Sequence, residues 1–310
     1  MAITKVATNA QVLVDSTALG GITDASLDLG VTIGKEMTDG NVNAYFVSVN
    51  AVKPRATFST LKIAAALDLL AYPVTSIAGL TAGLAMYGRA FVAGATRGGA
   101  IAHKKYLMDT GIVFPTRLTV DHQGEAKIEY SVIPVSSDGT TAPVVPSESA
   151  SLPTADADDE RFTLGEVTLG NVAFTHIKSL EINFGITEKV ESADSDIYDT
   201  FAAIQESNPI ITLRGIDYDW FKTSGAVAIT GLAGTQANTS IVLRKRAASG
   251  TFVAAATAEH ILFNAAGLIT IGQAHRSSNN QTAEIDLRME CIHDGTNAPL
   301  VIDTTHAYGV

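Results

Sequence analysis

Seven histidines and one cysteine are the side chains in this 310-residue sequence best suited to metal binding or nucleophilic chemistry. The histidines are His103, His122, His176, His260, His275, His293 and His306. No two of them stand at the short spacing that sets a pair of zinc ligands on one helix or hairpin. The single cysteine, Cys291, excludes an intrachain disulfide and a cysteine-cluster metal site. It continues the alternation of Leu287 and Met289, so it reads as a small buried hydrophobe. Glu125 with Glu129, and Glu284 with Asp286, are carboxylate pairs of the kind used in general acid–base catalysis. They occupy the polar positions of alternating segments, which predicts solvent-facing side chains. The acidic run Asp156, Asp158, Asp159 and Glu160 lacks the glycine and the ligand spacing of a calcium loop and reads as a solvated charge run. The one basic, glycine-rich stretch, RGGAIAHKK at residues 97–105, lacks the Lys-Ser/Thr ending and following helix of a phosphate loop. No Gly-x-Ser-x-Gly elbow is present. The expectation is a protein that is no enzyme, with no cofactor and no metal.

The elements that carry these residues come in two sets. DGTTAPVV at residues 138–145 returns as DGTNAPLV at residues 294–301, six of eight positions being identical across an offset of 156. Upstream, AKIEY at 126–130 aligns with AEIDL at 283–287, and GIV at 111–113 with GLI at 267–269. Near the start of each set, ASLDL at 25–29 matches KSLEI at 178–182, and Phe46 and Pro54 fall opposite Phe201 and Pro209. An ordered series of matches at half the chain length is the signature of a tandem repeat. The reading is one unit over residues 1–147, an acidic linker over 148–161 and a second unit over 162–310. No histidine is matched between the two.

Each unit reads mainly as strands. SLDLGVTI at 26–33 and SLEINFGI at 179–186 alternate with the period of two that a half-buried strand requires. Residues 56–59 and 210–214 each follow a proline, which suits the start of a strand or a sheet edge. Hairpins are expected around residues 117–133 and 267–292. One helix per unit is expected, over 60–71 with an apolar stripe of Leu61, Ala64, Leu67 and Leu70, and over 217–225 between an Asp cap and a terminal Gly. A polar insert follows the first strand pair of each unit, at 35–43 and at 188–199, and loops of this type commonly carry partner contacts.

Charge narrows the partners. The chain holds 21 basic and 32 acidic residues, a net charge of −11. Residues 1–150 carry 11 basic and 12 acidic side chains, whereas residues 151–310 carry 10 and 20. Tight binding to a phosphate backbone needs clustered Lys and Arg, so this balance argues against it while allowing nucleic acid to slide past. No stretch has the length of a membrane span, and the start of the chain lacks the layout of a secretory signal. No membrane association and assembly in a cytoplasm are expected.

The paired strands, the polar loop after each, the Pro-led strand entering a helix (KPRATFSTLKIAAALDLL) and the closing DGTTAPVV or DGTNAPLV resemble the major tail tube proteins of long-tailed bacteriophages. The resemblance implies a mainly β fold, two tandem β-barrel or sandwich domains each with one flanking α-helix. It implies a virion tail location, homotrimeric rings that imitate a six-fold ring, and stacking into a hollow tube for DNA ejection. Partners implied are further copies of the chain, the tape measure, tail terminator and distal tail proteins, and genomic DNA passing without specific binding. Candidate contacts between subunits or rings are Lys35, Glu36, Asp39, Asn41, Glu188, Glu191, Asp194 and Asp196. A candidate basic contact patch, to meet the acidic second unit, is Arg97, Lys104 and Lys105. The alternative is a virion decoration or surface-binding β-repeat protein, which would require clustered exposed aromatics where the sequence offers Trp220 and a few tyrosines.

Overall fold

Period-two alternation becomes strand almost everywhere. In the computed structural model, which describes residues 5–37, 39–40, 42–92, 102–154, 160–170, 172–216, 234–277, 283–293, 295–296 and 298–308, the fold is mainly β with one short α-helix among those residues. The first half runs β1 (Lys5–Val14), β2 (Thr17–Leu19), β3 (Ile22–Asp28), β4 (Val31–Glu36), β5 (Phe46–Val52), β6 (Arg55–Thr60), α1 (Ile63–Leu69), β7 (Thr75–Ser76), β8 (Leu84–Val92), β9 (His103–Met108), β10 (Gly111–Asp121), β11 (Lys127–Pro134) and β12 (Val145–Ala150). The second half runs β13 (Arg161–Leu169), β14 (Val172–Ala173), β15 (Ile177–Asn183), β16 (Ile186–Glu191), β17 (Phe201–Ser207), β18 (Ile210–Gly215), β19 (Thr235–Arg246), β20 (His260–Arg276), β21 (Glu284–Cys291) and β22 (Leu300–His306).

The halves share one pairing scheme, with one added bulge between Gln273 and Arg276 in the second. β3 and β6 pair with Ile22 opposite Thr60 and Asp28 opposite Arg55, and a bulge falls between Ile22 and Asp24. β15 and β18 pair with Ile177 opposite Gly215 and Asn183 opposite Ile210, and the bulge falls between Ile177 and Ser179. Every partner is displaced by 155 residues. The same displacement carries the β4/β5 hairpin onto the β16/β17 hairpin, including the bulge after Thr32 and after Thr187. It also carries β1/β2 onto β13/β14. The sequence match of 25–29 with 178–182 is therefore two residues out of register. A slip of two leaves every side chain on its own face, which is why the alternation alone did not expose it. The aligned residues at this point are Asp28 with Asn183 and Gly30 with Gly185. In both turns the Asx side-chain oxygen accepts the glycine N–H, at 3.0 and 2.9 Å, and the glycines take φ of 56° and 58°. That left-handed conformation is open to glycine at little cost.

One large sheet crosses from half to half in the order β14-β13-β19-β20-β21-β18-β15-β10-β11-β6-β3, with β22 on β20 and β7 on β10. A second sheet has the order β12-β9-β8-β1-β2. A single buried cluster draws on both halves, with Phe58 and Tyr130 stacked at 5.2 Å between centroids and Leu118, Val120, Leu180 and Ile182 meeting at the crossing. The helix is shorter than the expected 60–71. Its buried residues are Ile63, Ala66 and Leu67, with Leu70 just beyond, a three-and-four spacing in place of the expected stripe; Leu61 and Ala64 are only partly covered. The second expected helix lies outside the described residues. β12 reaches Ala150, so the first residues of the expected linker belong to a strand paired with β9.

Candidate assembly interface

The joint between the halves is where the strands of one half pair with those of the other. β10 of the first half lies antiparallel to β15 of the second, with Arg117 opposite Asn183, Leu118 opposite Ile182, Val120 opposite Leu180 and Asp121 opposite Ser179. Leu118, Val120, Leu180 and Ile182 are each 2 % exposed or less. Burial of side chains of that size is worth about 1.5–3 kcal/mol apiece. The long hairpin β16/β17, the second-half arm, then lies over the first half. Ile186, Val190, Ala202 and Ile204 pack on Ile112, Phe114, Ile133 and Val135. The loop after β16 docks on the Asp138 turn, where Ile197 and Tyr198 donate backbone N–H to the Gly139 carbonyl at 3.0 and 3.1 Å and the Ser136 N–H reaches the Asp199 carbonyl at 2.8 Å.

Charges tie the rim. Lys53 Nζ lies 3.0 Å from the buried Asp199 carboxylate, and Arg55 lies 3.4 Å from Glu188. The Asp138 carboxylate is held well below the usual range because it accepts the N–H groups of Thr141 and Thr140 and the Thr141 hydroxyl. That bonding keeps the turn in the shape the arm loop meets.

The candidate contact residues divide between the two arms. Glu188, Glu191, Asp194 and Asp196 lie on the second arm and its loop. Glu188 meets Arg55, and Asp196 accepts the Ala193 N–H at 2.9 Å beside Gly139. Lys35, Glu36 and Asp39 lie on the first arm, β4/β5, and are exposed; Asn41 is outside the described residues. The first arm also exposes Val31, Ile33, Met37, Val42, Tyr45, Phe46, Val47 and Val49, with Val42 at 90 % and Tyr45 at 80 %. In the basic patch, Lys104 approaches Glu148 of the neighbouring strand at 3.6 Å and Lys105 lies 5.9 Å over the Tyr87 ring, whereas Arg97 and Trp220 are outside the described residues.

The carboxylate pairs are neutralised locally. Glu129 faces Arg117 at 3.3 Å and Lys127 at 3.5 Å, Glu125 faces Arg161, and Asp286 binds Arg214 at 2.9 Å. Glu284 binds Lys178 at 2.6 Å, and that bond holds its carboxyl below the usual range. Cys291 is buried, which pushes its thiol up to about 12.

One expectation is corrected. His103 and His260 do match, at the offset of 157 that also relates β11 to β21. His103 Nδ1 accepts the Ala90 N–H at 3.2 Å, and His260 Nδ1 accepts the Lys245 N–H at 3.1 Å. Both rings are buried. His260 also donates from Nε2 to the Ala254 carbonyl at 3.1 Å and lies edge-on to Tyr308. These rings satisfy backbone donors inside the sheet and are structural. The signal was the shared spacing, hidden because the residues flanking the two histidines differ.

No protein-family model matches the chain, and no curated protein sequence matches it either.

Proposed function

We propose that this chain is the structural subunit of a bacteriophage tail tube, each half being one tube unit. Three copies close a ring of six such units, and rings stack into a hollow conduit for DNA. The observation that supports the reading is the heterologous character of the internal joint. The first half contributes the outer edge of β10 and the patch around Ile112 and Phe114, and the second contributes β15 and its arm. A joint made from two different surfaces leaves one of each unused and propagates, closing into a ring when its rotation permits. Exposed strand edges are ordinarily blunted against aggregation, so their retention here fits a chain that meets copies of itself. The net charge of −11 fits a wall that DNA slides along without sticking.

Negative-stain electron microscopy of the purified full chain over a concentration series tests the proposal. Rings about three chains in mass, or tubes built from them, are the expected result. A monodisperse monomer at every concentration, with neither rings nor tubes, refutes it.

A further inference from the structure

The internal joint leaves over two surfaces, and what they would meet rests on the ring reading above. Because the halves pair by one scheme, the partner of each unused surface is fixed by translation along the sequence. β15 is covered on its outer edge by β10; β3, its counterpart, pairs only with β6 among the described residues. The consequence shows in burial. Leu180 and Ile182 are fully buried, whereas Ala25 and Leu27 at the same positions of β3 are only partly covered. They line a shallow groove of about 90 Å³ together with Gln11, Met86, Tyr87 and Tyr106. At the other end of the chain, β20 runs past its pairing with β19, which ends at Ile269, and from there to Arg276 only its β21 side is paired among the described residues. That free edge is the counterpart of the β10 segment that grips β15.

We infer that the last part of β20 adds to β3 of a second copy of this chain, antiparallel, with Gln273 opposite Asp28, the bulge of Ala274 and His275 opposite Leu27, and Arg276, the counterpart of Thr119, opposite Ser26. The register follows from Arg117 opposite Asn183 in the internal joint, since Arg117 and Gln273 stand at equivalent positions opposite Glu129 and Asp286, and Asn183 is equivalent to Asp28. Backbone pairing of this type supplies affinity while side chains set the register. The first arm then falls where the second arm falls inside the chain. Val31, Val47 and Val49, exposed now, take the places of Ile186, Ala202 and Ile204. Their floor is Leu268, Thr270, Glu290 and Ile292, the counterparts of Ile112, Phe114, Ile133 and Val135; Ile292 is 40 % exposed. Charge complements the exchange. Lys35 replaces Val190 on the arm, and Glu290, now held by Arg288 at 2.6 Å, replaces Ile133 on the floor. The internal joint is apolar at this point, whereas the joint between copies has Thr270 in place of Phe114 and one opposite-charge pair, which favours ordered assembly over indiscriminate sticking.

Paired cysteines test the register. Full-length chains carrying Asp28→Cys with Gln273→Cys, and Leu27→Cys with Ala274→Cys, sample both spacings that alternate along an antiparallel pair. An Asp28→Cys, Ser277→Cys chain is the out-of-register control, and mass photometry reports oligomer formation in each. Mild oxidation is expected to give covalent dimers and closed trimers from at least one in-register pair and none from the control. Mixing the Asp28→Cys and Gln273→Cys single variants should give dimers only. Oligomers without in-register cross-links, or with equal cross-linking in the control, overturn this interface and leave the tube reading standing. Absence of oligomers in the unmodified chain overturns the tube reading, and this interface with it.

Discussion

Gly30 and Gly185 sit in the same turn of the two arms, and alanine at each position separates the cost of the turn from the cost of moving the arm. Both glycines have φ near 57°, where a non-glycine residue costs about 1–2 kcal/mol. A Cβ at Gly185 would lie 1.9 Å from the Asn208 carbonyl oxygen, and one at Gly30 would lie 2.3 Å from that of Lys53. Real Cβ contacts stay beyond 3.0 Å, so the two hairpins must open by roughly 1.1 and 0.7 Å. The second arm cannot open freely, because Ile186, Val190, Ala202 and Ile204 are packed on the first half and the Tyr72 hydroxyl is 3.0 Å from Ser207. Forcing packed elements apart costs a further 1–3 kcal/mol or about that. Among the described residues the first arm has no such apolar floor; it is tied at its base, where the Val52 N–H donates to the Ile197 carbonyl at 2.8 Å, and its outer part can tilt. Gly185→Ala is therefore expected to lose about 2–5 kcal/mol and Gly30→Ala about 1–2 kcal/mol. Urea denaturation at a dilution where the chain is monomeric gives the comparison, read as a shift in midpoint at constant slope. Equal losses, or a larger loss for Gly30→Ala, would refute the claim that the two arms differ only in what lies beneath them.

Three further outcomes follow from the buried and charged groups. Cys291, with its thiol pushed up to about 12, should react with Ellman's reagent only on unfolding; complete labelling of the folded chain within minutes at neutral pH contradicts its burial. Glu284 and Asp138 have carboxyls held below their unfolded values, so their contribution is present above the unfolded pKa of about 4 and is lost as pH falls through the folded one. Glu284→Gln should flatten the acid limb of the urea midpoint measured from pH 5 downward, and an unchanged limb argues that the bond to Lys178 contributes nothing. His260→Ala should cost more than His103→Ala, because it removes two bonds, both to partly buried backbone groups, and the edge contact with Tyr308, where the other removes one bond to a buried N–H, at about 0.5–1.5 kcal/mol for each bond. Calorimetry that ranks the two variants in the opposite order rejects this account.

What was legible in the sequence was the alternation. Strand alternation produced a mainly β fold, and Pro54 and Pro209, at the true offset of 155, marked the starts of β6 and β18, the strands that follow the two arms. The two-residue slip at residues 25–29 was invisible because a period of two is blind to it; Gly30 and Gly185 would have corrected it, since only a turn with left-handed backbone requires glycine at both places. Of the expected helix stripe, Leu67 and Leu70 are buried and Leu61 and Ala64 only partly so, because α1 begins at Ile63, three residues later than propensity predicts. β6 claims everything through Thr60, whose hydroxyl accepts the Lys62 N–H and ends the strand. The two buried histidines escaped notice because their role is to accept a backbone N–H, and nothing in the neighbouring residue types announces such a bond. Of the contact between halves, the insert at 188–199 was legible as a contact element, and the pairing of β10 with β15 was not. A polar insert looks the same in sequence whether it lies on a neighbouring unit, as residues 192–199 do, or stands free, as the described part of 37–45 does.

That difference between the arms bears on why two units would occupy one chain. Within the chain, β10 meets β15 at an effective concentration set by the tether, so this joint forms without the translational entropy loss that a second molecule must bear. The proposed joint between copies would have no such help, and the surfaces assigned to it are less apolar: Lys35 and Glu290 stand where the internal joint has Val190 and Ile133. A fully apolar exposed arm beside the outer edge of β3 would invite pairing with any strand that passed, whereas a charge at one point of the arm and its opposite on the floor make wrong registers costly. The asymmetry thus places strength where the covalent link has already chosen the partner and selectivity where it has not. Lys35→Val should strengthen association between copies while broadening it to aggregates, and Lys35→Glu should weaken it without changing the monomer's urea midpoint. If neither substitution changes the oligomer population seen by mass photometry, the arm is not the element that selects the partner.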